Sequence, residues 1–106
     1  MSRNVKLVVY VPIDHADKVR ESLVKAGAGH VGNYDCCSFS SRGVGRFRPL
    51  EGSNPVIGEL GKLEEVEEER IEVLCPRDRV KEAINAMTKV HPYEAVAYDI
   101  YPVENL

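Results

Sequence analysis

His91 and Glu94 stand three residues apart in the run His91-Pro92-Tyr93-Glu94. A neutral imidazole and a carboxylate at that spacing could share a divalent cation or relay a proton. Cys37 is a candidate soft third ligand, because the pair alone supplies fewer ligands than a protein metal site uses. The competing role is architectural: a histidine in the last turn of a helix interacts well with the helix C-terminus, Pro92 stops the helix and Tyr93 packs. Cys36 and Cys37 are adjacent on a predicted strand and so point to opposite faces, which prevents joint chelation. Each could act singly as a thiol of lowered pKa or fill a small apolar position, and Cys75 fills such a position at the end of a core strand.

Arg42, Arg46 and Arg48 form the dense basic cluster of the chain. Arg46 and Arg48 share a strand face, with Phe47 opposite, and could grip a phosphate or carboxylate bidentately. The alternative is an interface: Arg46, Arg48 and Phe47 of one subunit meeting Glu65, Glu67 and Glu69 of another, which accounts for both charge runs at once. Gly43-Val44-Gly45 lacks the third glycine of a dinucleotide fingerprint, and no Gly-Lys-Ser/Thr follows, so these glycines are read as turn residues that permit positive φ. Asp14, His15 and Asp17 read as capping and first-turn charge for a helix.

The elements that must position these groups follow from periodicity. Val5, Leu7, Val9 and Val11 alternate with Lys6, Val8 and Tyr10, a strand with one strongly apolar face and a second partly buried one. Pro12 ends it. Ala16, Val19, Leu23 and Ala26 then form one helical stripe, closed by Gly27 and Gly29. A second strand is predicted over Tyr34 to Ser41. Residues 43–61 hold five glycines and two prolines and read as a hairpin with an extended loop of the kind that is functional or contacts a partner. Arg70 to Cys75 alternates as a strand, and the acidic half Glu64 to Glu69 extends it beyond the core, a helical turn being the competing reading. Pro76 opens a second helix with Val80, Ala83, Ile84 and Met87 buried. His91-Pro92 ends it, and Ala95 to Val103 reads as the last strand.

Both halves run strand, Pro (Pro12, Pro76), Asp (Asp14, Asp78), amphipathic helix, strand. The stripe Val19, Leu23, Ala26 has the spacing of Val80, Ile84, Met87, with three extra residues in the first copy. Two such units with a hairpin-like middle give the split βαβ, ferredoxin-like α+β sandwich: an antiparallel sheet with two helices on one face. With 106 residues the expectation is one domain spanning 1–106. The net charge of −3 argues against a nucleic-acid binder. No apolar run approaches the ~18 residues of a membrane helix, and the N-terminal run lacks the pattern of a signal peptide. Three cysteines without CxxC spacing argue against a disulfide framework and for reduced thiols in the cytoplasm.

Two blocks carry a family resemblance. The tail from His91-Pro92-Tyr93-Glu94 through Tyr98, Tyr101 and Pro102 to Asn105 is one. The other is Gly43-Val44-Gly45-Arg46-Phe47-Arg48-Pro49, followed by Gly52, Pro55, Gly58, Gly61 and the glutamate-rich strand. Together they resemble the inserted middle domain of the NGG-one-interacting factor three-like proteins, also called the GTP cyclohydrolase 1 type 2-like family. The resemblance implies a fold similar to the CutA divalent-cation-tolerance and nitrogen-regulatory PII proteins, which are commonly trimers. His91-Pro92-Tyr93-Glu94 also resembles a CutA motif, from which Ala95-Val96 departs. The family's catalytic chemistry is attributed to a dinuclear metal site in the domains flanking this insert. The present chain offers only His15, His30 and His91, so the hydrolase activity transfers to none of its residues. The expectation is a stand-alone insert without cofactor: a non-catalytic, oligomerising module, with a homotrimer as the implied assembly and a small molecule or a protein as partner. The alternative is a small CutA-like protein binding a divalent metal. A self-sufficient enzyme would need a base beside an activated nucleophile, and no pair here supplies one.

Overall fold

In the computed structural model, which describes residues 3–104 and Leu106, four strands form one antiparallel sheet in the order β2-β3-β1-β4. Met1, Ser2 and Asn105, the last residue of the tail motif, lie outside the described residues. The strands are β1 (Asn4–Pro12), β2 (Phe39–Phe47), β3 (Glu64–Pro76) and β4 (Tyr98–Pro102). Two helices, α1 (Ala16–Lys25) and α2 (Val80–Val90), follow β1 and β3. This is the expected ferredoxin-like arrangement: β3 lies between β1 and β2, and β1 carries β4 on its other side.

The core lies between the helices and one sheet face. Val5, Leu7, Val9 and Val11 of β1 alternate with Ile71, Val73 and Cys75 of β3 beneath Ala16, Val19 and Leu23 of α1 and Ala83 and Met87 of α2. Fully burying a side chain of the Val or Leu class contributes about 1.5–3 kcal/mol each, so this layer supplies most of the driving force for folding. The outer face of β1 is partly closed as well: Val8 is buried between half-buried Lys6 and Tyr10.

The internal repeat is real, and its register is tighter than the spacing argument suggested. Pro12 and Pro76 adopt nearly the same conformation (φ −54°, ψ 143° and φ −57°, ψ 138°), and each opens a 3-10 turn that leads into its helix. The residues before the helices, His15 and Arg79, match too, at φ −110° in both cases. Ala16, Val19 and Leu23 therefore correspond to Val80, Ala83 and Met87, with no insertion between the copies. The proline-led turn also replaces the predicted Asp14 cap, since neither helix start receives a side-chain capping bond.

α1 ends in a Schellman motif. Gly27 takes φ 100°, its N–H donates to the Val24 carbonyl, and the Ala28 N–H donates to that of Leu23. Ala28 is thereby drawn into the core.

The predicted second strand is displaced. Cys36 has φ 57°, a left-handed conformation that a strand cannot accommodate, and the Cys37 N–H donates to the Gly29 carbonyl. A turn closed by the Val31–Tyr34 bridge and a bend at Cys36 therefore occupy this stretch, and β2 begins at Phe39 and runs through Gly43 and Gly45 to Phe47. Those two glycines are strand residues, and neither has positive φ, which corrects their reading as turn residues. β3 is one continuous strand from Glu64 to Pro76, so the helical alternative for its acidic half does not hold.

Candidate functional site

β1 pairs with β3 only as far as Pro12, opposite Glu68, so residues 64–67 of β3 run on beside β2 alone. The segment 91–97 fills the space beyond the end of β1. His91 anchors it. Its ring is buried, with Nε2 2.7 Å from the Tyr10 carbonyl and Nδ1 accepting the Tyr93 N–H at 3.1 Å. These partners assign the neutral tautomer protonated on Nε2. Burial pushes this imidazole below the ordinary histidine value, against the opposing pull of the Tyr10 carbonyl. The Ala97 carbonyl accepts the Tyr10 N–H, which fastens the far end of the segment to β1.

From this anchor Tyr93 crosses towards β3. Its ring stacks edge-on against Phe47 at 5.6 Å between centroids, and its hydroxyl donates to Glu68 Oε2 at 3.0 Å. Burial first, and then the bond to this carboxylate, push the Tyr93 phenol well above its ordinary value. Glu94 accepts the Asn54 N–H at 2.9 Å and so ties the tail to the loop between β2 and β3.

The result is a cavity of about 260 Å³ between that loop and the tail. Its walls are mainly apolar, with Tyr10, Phe47, Pro49, Pro55, Ile57 and Ala97 among them. Glu68 lies at its base with only 8% of its surface exposed. Gly45 explains how the carboxylate fits there: a Cβ at this position would stand 2.5 Å from Glu68 Cδ and closer still to Oε1. A glycine inside a strand often marks such an approach.

The residues expected to bind metal are not brought together. Both ring nitrogens of His91 are engaged, Glu94 is bound to the loop backbone, and Cys37 lies beside Gly29, whose N–H is held by Leu74 towards the other end of β3. Among the described residues no group of three or more His, Cys, Asp or Glu side chains is placed to hold a metal ion. Nor does His91 act through the helix dipole. It faces β1 as a neutral ring.

Cys36 is exposed rather than buried, and the neighbouring Asp35 carboxylate raises its thiol pKa, the opposite of an activated cysteine. Cys75 is buried as expected, and burial pushes its thiol up.

The charge runs divide differently from the expectation. Arg46 Nε lies 3.2 Å from Glu65 Oε1 directly across the β2–β3 pair, so this contact forms within one chain. Glu69, a candidate for the subunit interface, turns to the helix side and receives Arg20 Nη1 at 2.5 Å; Arg20 also bonds Asp17 and Ser40. Phe47 lines the cavity, its ring against Tyr93. Arg42 and Arg48 remain exposed, as does Glu67, and among the described residues none of the three has an ion-pair partner in the chain. Arg42 and Arg46 stand about 13 Å apart along the strand at the usual rise per residue, and Arg48 follows just beyond the end of β2.

Sequence reasoning missed Glu68 and the hydrogen bond it accepts from Tyr93, which it read only as a packing residue. The available signal was Gly45, a glycine inside an alternating strand pattern, which marks close approach of another group.

No family model matches the chain. The GTP cyclohydrolase 1 type 2 homolog of Bacillus subtilis is 58% identical over 99 residues, which cover 93% of this chain and 26% of that protein. The crystal structure of a Bacillus cereus protein related to NIF3 superposes with a TM-score of 0.84 at 51% identity, covering 96% of this chain and 26% of the other. CutA from Xylella fastidiosa superposes at 0.72 with 19% identity, over 98% of this chain and 86% of that one, a likeness of fold alone. The chain spans about a quarter of the curated relatives it matches. No helix among the described residues is long and apolar enough to cross a membrane. This chain corresponds, over nearly its whole length, to one segment of the GTP cyclohydrolase 1 type 2 homologs, and that segment has the CutA fold.

Proposed function

We propose that this chain is a non-catalytic assembly module that forms a homotrimer through its sheet edges and offers binding surfaces to a small regulatory ligand or a protein partner. One observation carries the reading: both edges of the sheet are open. β2 is a nine-residue edge strand exposed along most of its length, with Phe39 and Val44 67% and 48% exposed. β4, at the other edge, is exposed throughout, including Tyr98, Ile100 and Tyr101. Open edges with apolar side chains are templates for pairing, and a protein keeps them when they pair with a defined partner. The molecule is also elongated, 46 × 24 × 23 Å, which gives a neighbour a long side to pack against. Arg42, Arg48 and Glu67, without ion-pair partners among the described residues, are charges on or beside the β2–β3 arm available to a second copy. The likeness in fold to CutA proteins supports the same reading. Three free cysteines suit a reducing compartment, which supports a cytoplasmic location.

Sedimentation equilibrium tests the assembly. The expected mass is three times the 11.8 kDa of one chain, falling to one chain in the double variant Arg42→Glu, Arg48→Glu. A monomer at all concentrations contradicts the proposal.

A further inference from the structure

We infer that the cavity between the β2–β3 loop and the 91–97 tail is a binding site for a small, largely apolar molecule bearing a primary ammonium group, with Glu68 as its counter-charge. Four observations carry this. The cavity, at about 260 Å³, has room for a compact ligand. Its walls are mainly apolar and aromatic, with Tyr10, Phe47 and Tyr93 around the Glu68 carboxylate and Glu94 also in the lining.

That carboxylate is only half satisfied. Tyr93 donates to Oε2, whereas Oε1 receives no hydrogen bond from the described residues. At 8% exposure this carboxylate has little contact with bulk water, and a donor cation in the cavity supplies the partner that a single phenol leaves open. Arg46 reaches the same cavity, but its guanidinium is drawn to Glu65, and among the described residues no ion pair reaches Glu68.

The seat is also built into the chain by residues with no other evident use. Gly45 gives up a side chain so that the carboxylate can lie against the strand, and Tyr93 holds the carboxylate in place. An ammonium offers three donors to the vacant oxygen and is attracted to the faces of the surrounding rings. An anionic ligand would meet Glu68 and Glu94 and be repelled.

The test is a titration of the uniformly ¹⁵N-labelled chain followed by amide shifts, with phenethylamine as the probe and 2-phenylethanol as its neutral counterpart. Phenethylamine should shift the amides of Gly45, Glu68, Tyr93 and Ala95 and bind about tenfold or more tightly than the alcohol, the worth of one charge-assisted hydrogen bond. Glu68→Gln keeps the shape and can still accept from Tyr93, so it should fold normally and erase the preference for the amine. Equal affinity for amine and alcohol, no shifts at these amides, or an undiminished preference in Glu68→Gln would each overturn the inference. So would shifts at the same amides on concentrating the protein without probe, because the occupant would then be a side chain of a second copy. The lining comes from one chain, and running the titration at a protein concentration where the mass is that of one chain separates failure of this site from failure of the assembly reading.

Discussion

Gly45→Ala isolates the close approach on which the cavity depends. Gly45 and Gly43 both lie in β2, neither has positive φ, and each can accept alanine as far as the backbone is concerned. In both cases the substitution restricts the unfolded chain and stabilises by ~0.4–1 kcal/mol where no clash intervenes. At Gly43 nothing lies within 4 Å of the added Cβ, so that gain stands. At Gly45 the Cβ meets the Glu68 carboxylate, which must swing away and leave the Tyr93 hydroxyl. Hydrogen bonds to charged groups are worth ~1.5–3 kcal/mol, so the net effect at Gly45 is a loss of about 1–2 kcal/mol. For a domain of this size that lowers the melting temperature by roughly 5–15 °C. Thermal and urea unfolding followed by circular dichroism, at one fixed protein concentration, read this directly. The two alanine variants should move in opposite directions, and in a Glu68→Ala background Gly45→Ala should become neutral or stabilising. Equal effects at the two glycines, or a Gly45 penalty that survives truncation of Glu68, would refute the reasoning.

Other consequences follow from the same geometry. His91 is held neutral, so its pKa is lower folded than unfolded; its contribution to stability is complete above about pH 6.5 and is lost as pH falls through the depressed folded value. Urea midpoints should fall from pH 6.5 downward with a slope of at most ~1.4 kcal/mol per pH unit from this residue, and His91→Ala should remove that component. The same variant deletes two hydrogen bonds of a buried ring and should cost about 2–4 kcal/mol at neutral pH, as measured by urea unfolding. Arg20→Met leaves Glu69, whose side chain is 10% exposed, without its cation and should destabilise by ~1–3 kcal/mol, an effect that Glu69→Gln in the same chain partly reverses.

Much of the fold was legible because its elements are defined by local periodicity. β1, β3 and both helices follow from alternating or helical stripes, and the repeated Pro-led units indicate the split βαβ topology before any contact is known. The errors share one origin, which is long-range contact. Cys36 fits a strand by type, and only the Cys37–Gly29 bond, with the left-handed turn beside it, moves the start of β2 to Phe39. Matching the stripes by spacing alone paired Val19 with Val80, whereas the two prolines set the register and pair Val19 with Ala83. Within His91-Pro92-Tyr93-Glu94 the residue types suggest metal chemistry. Each polar group is instead consumed by a distant backbone or side-chain partner: Tyr10, Glu68 and Asn54. Glu68 itself was hidden inside an acidic run that reads as uniformly solvated, although alternate residues of that run face different environments.

Hydrogen exchange along β2 tests the assembly reading most directly. Among the described residues β2 pairs with β3 alone, and alternate backbone N–H groups of such an edge strand point away from its one neighbour. If the edge pairs with a neighbouring copy, those amides exchange slowly at concentrations where the trimer forms and rapidly on dilution or in the Arg42→Glu, Arg48→Glu variant. Rapid exchange of these amides at every concentration, with β1 and β3 still protected, would contradict the account.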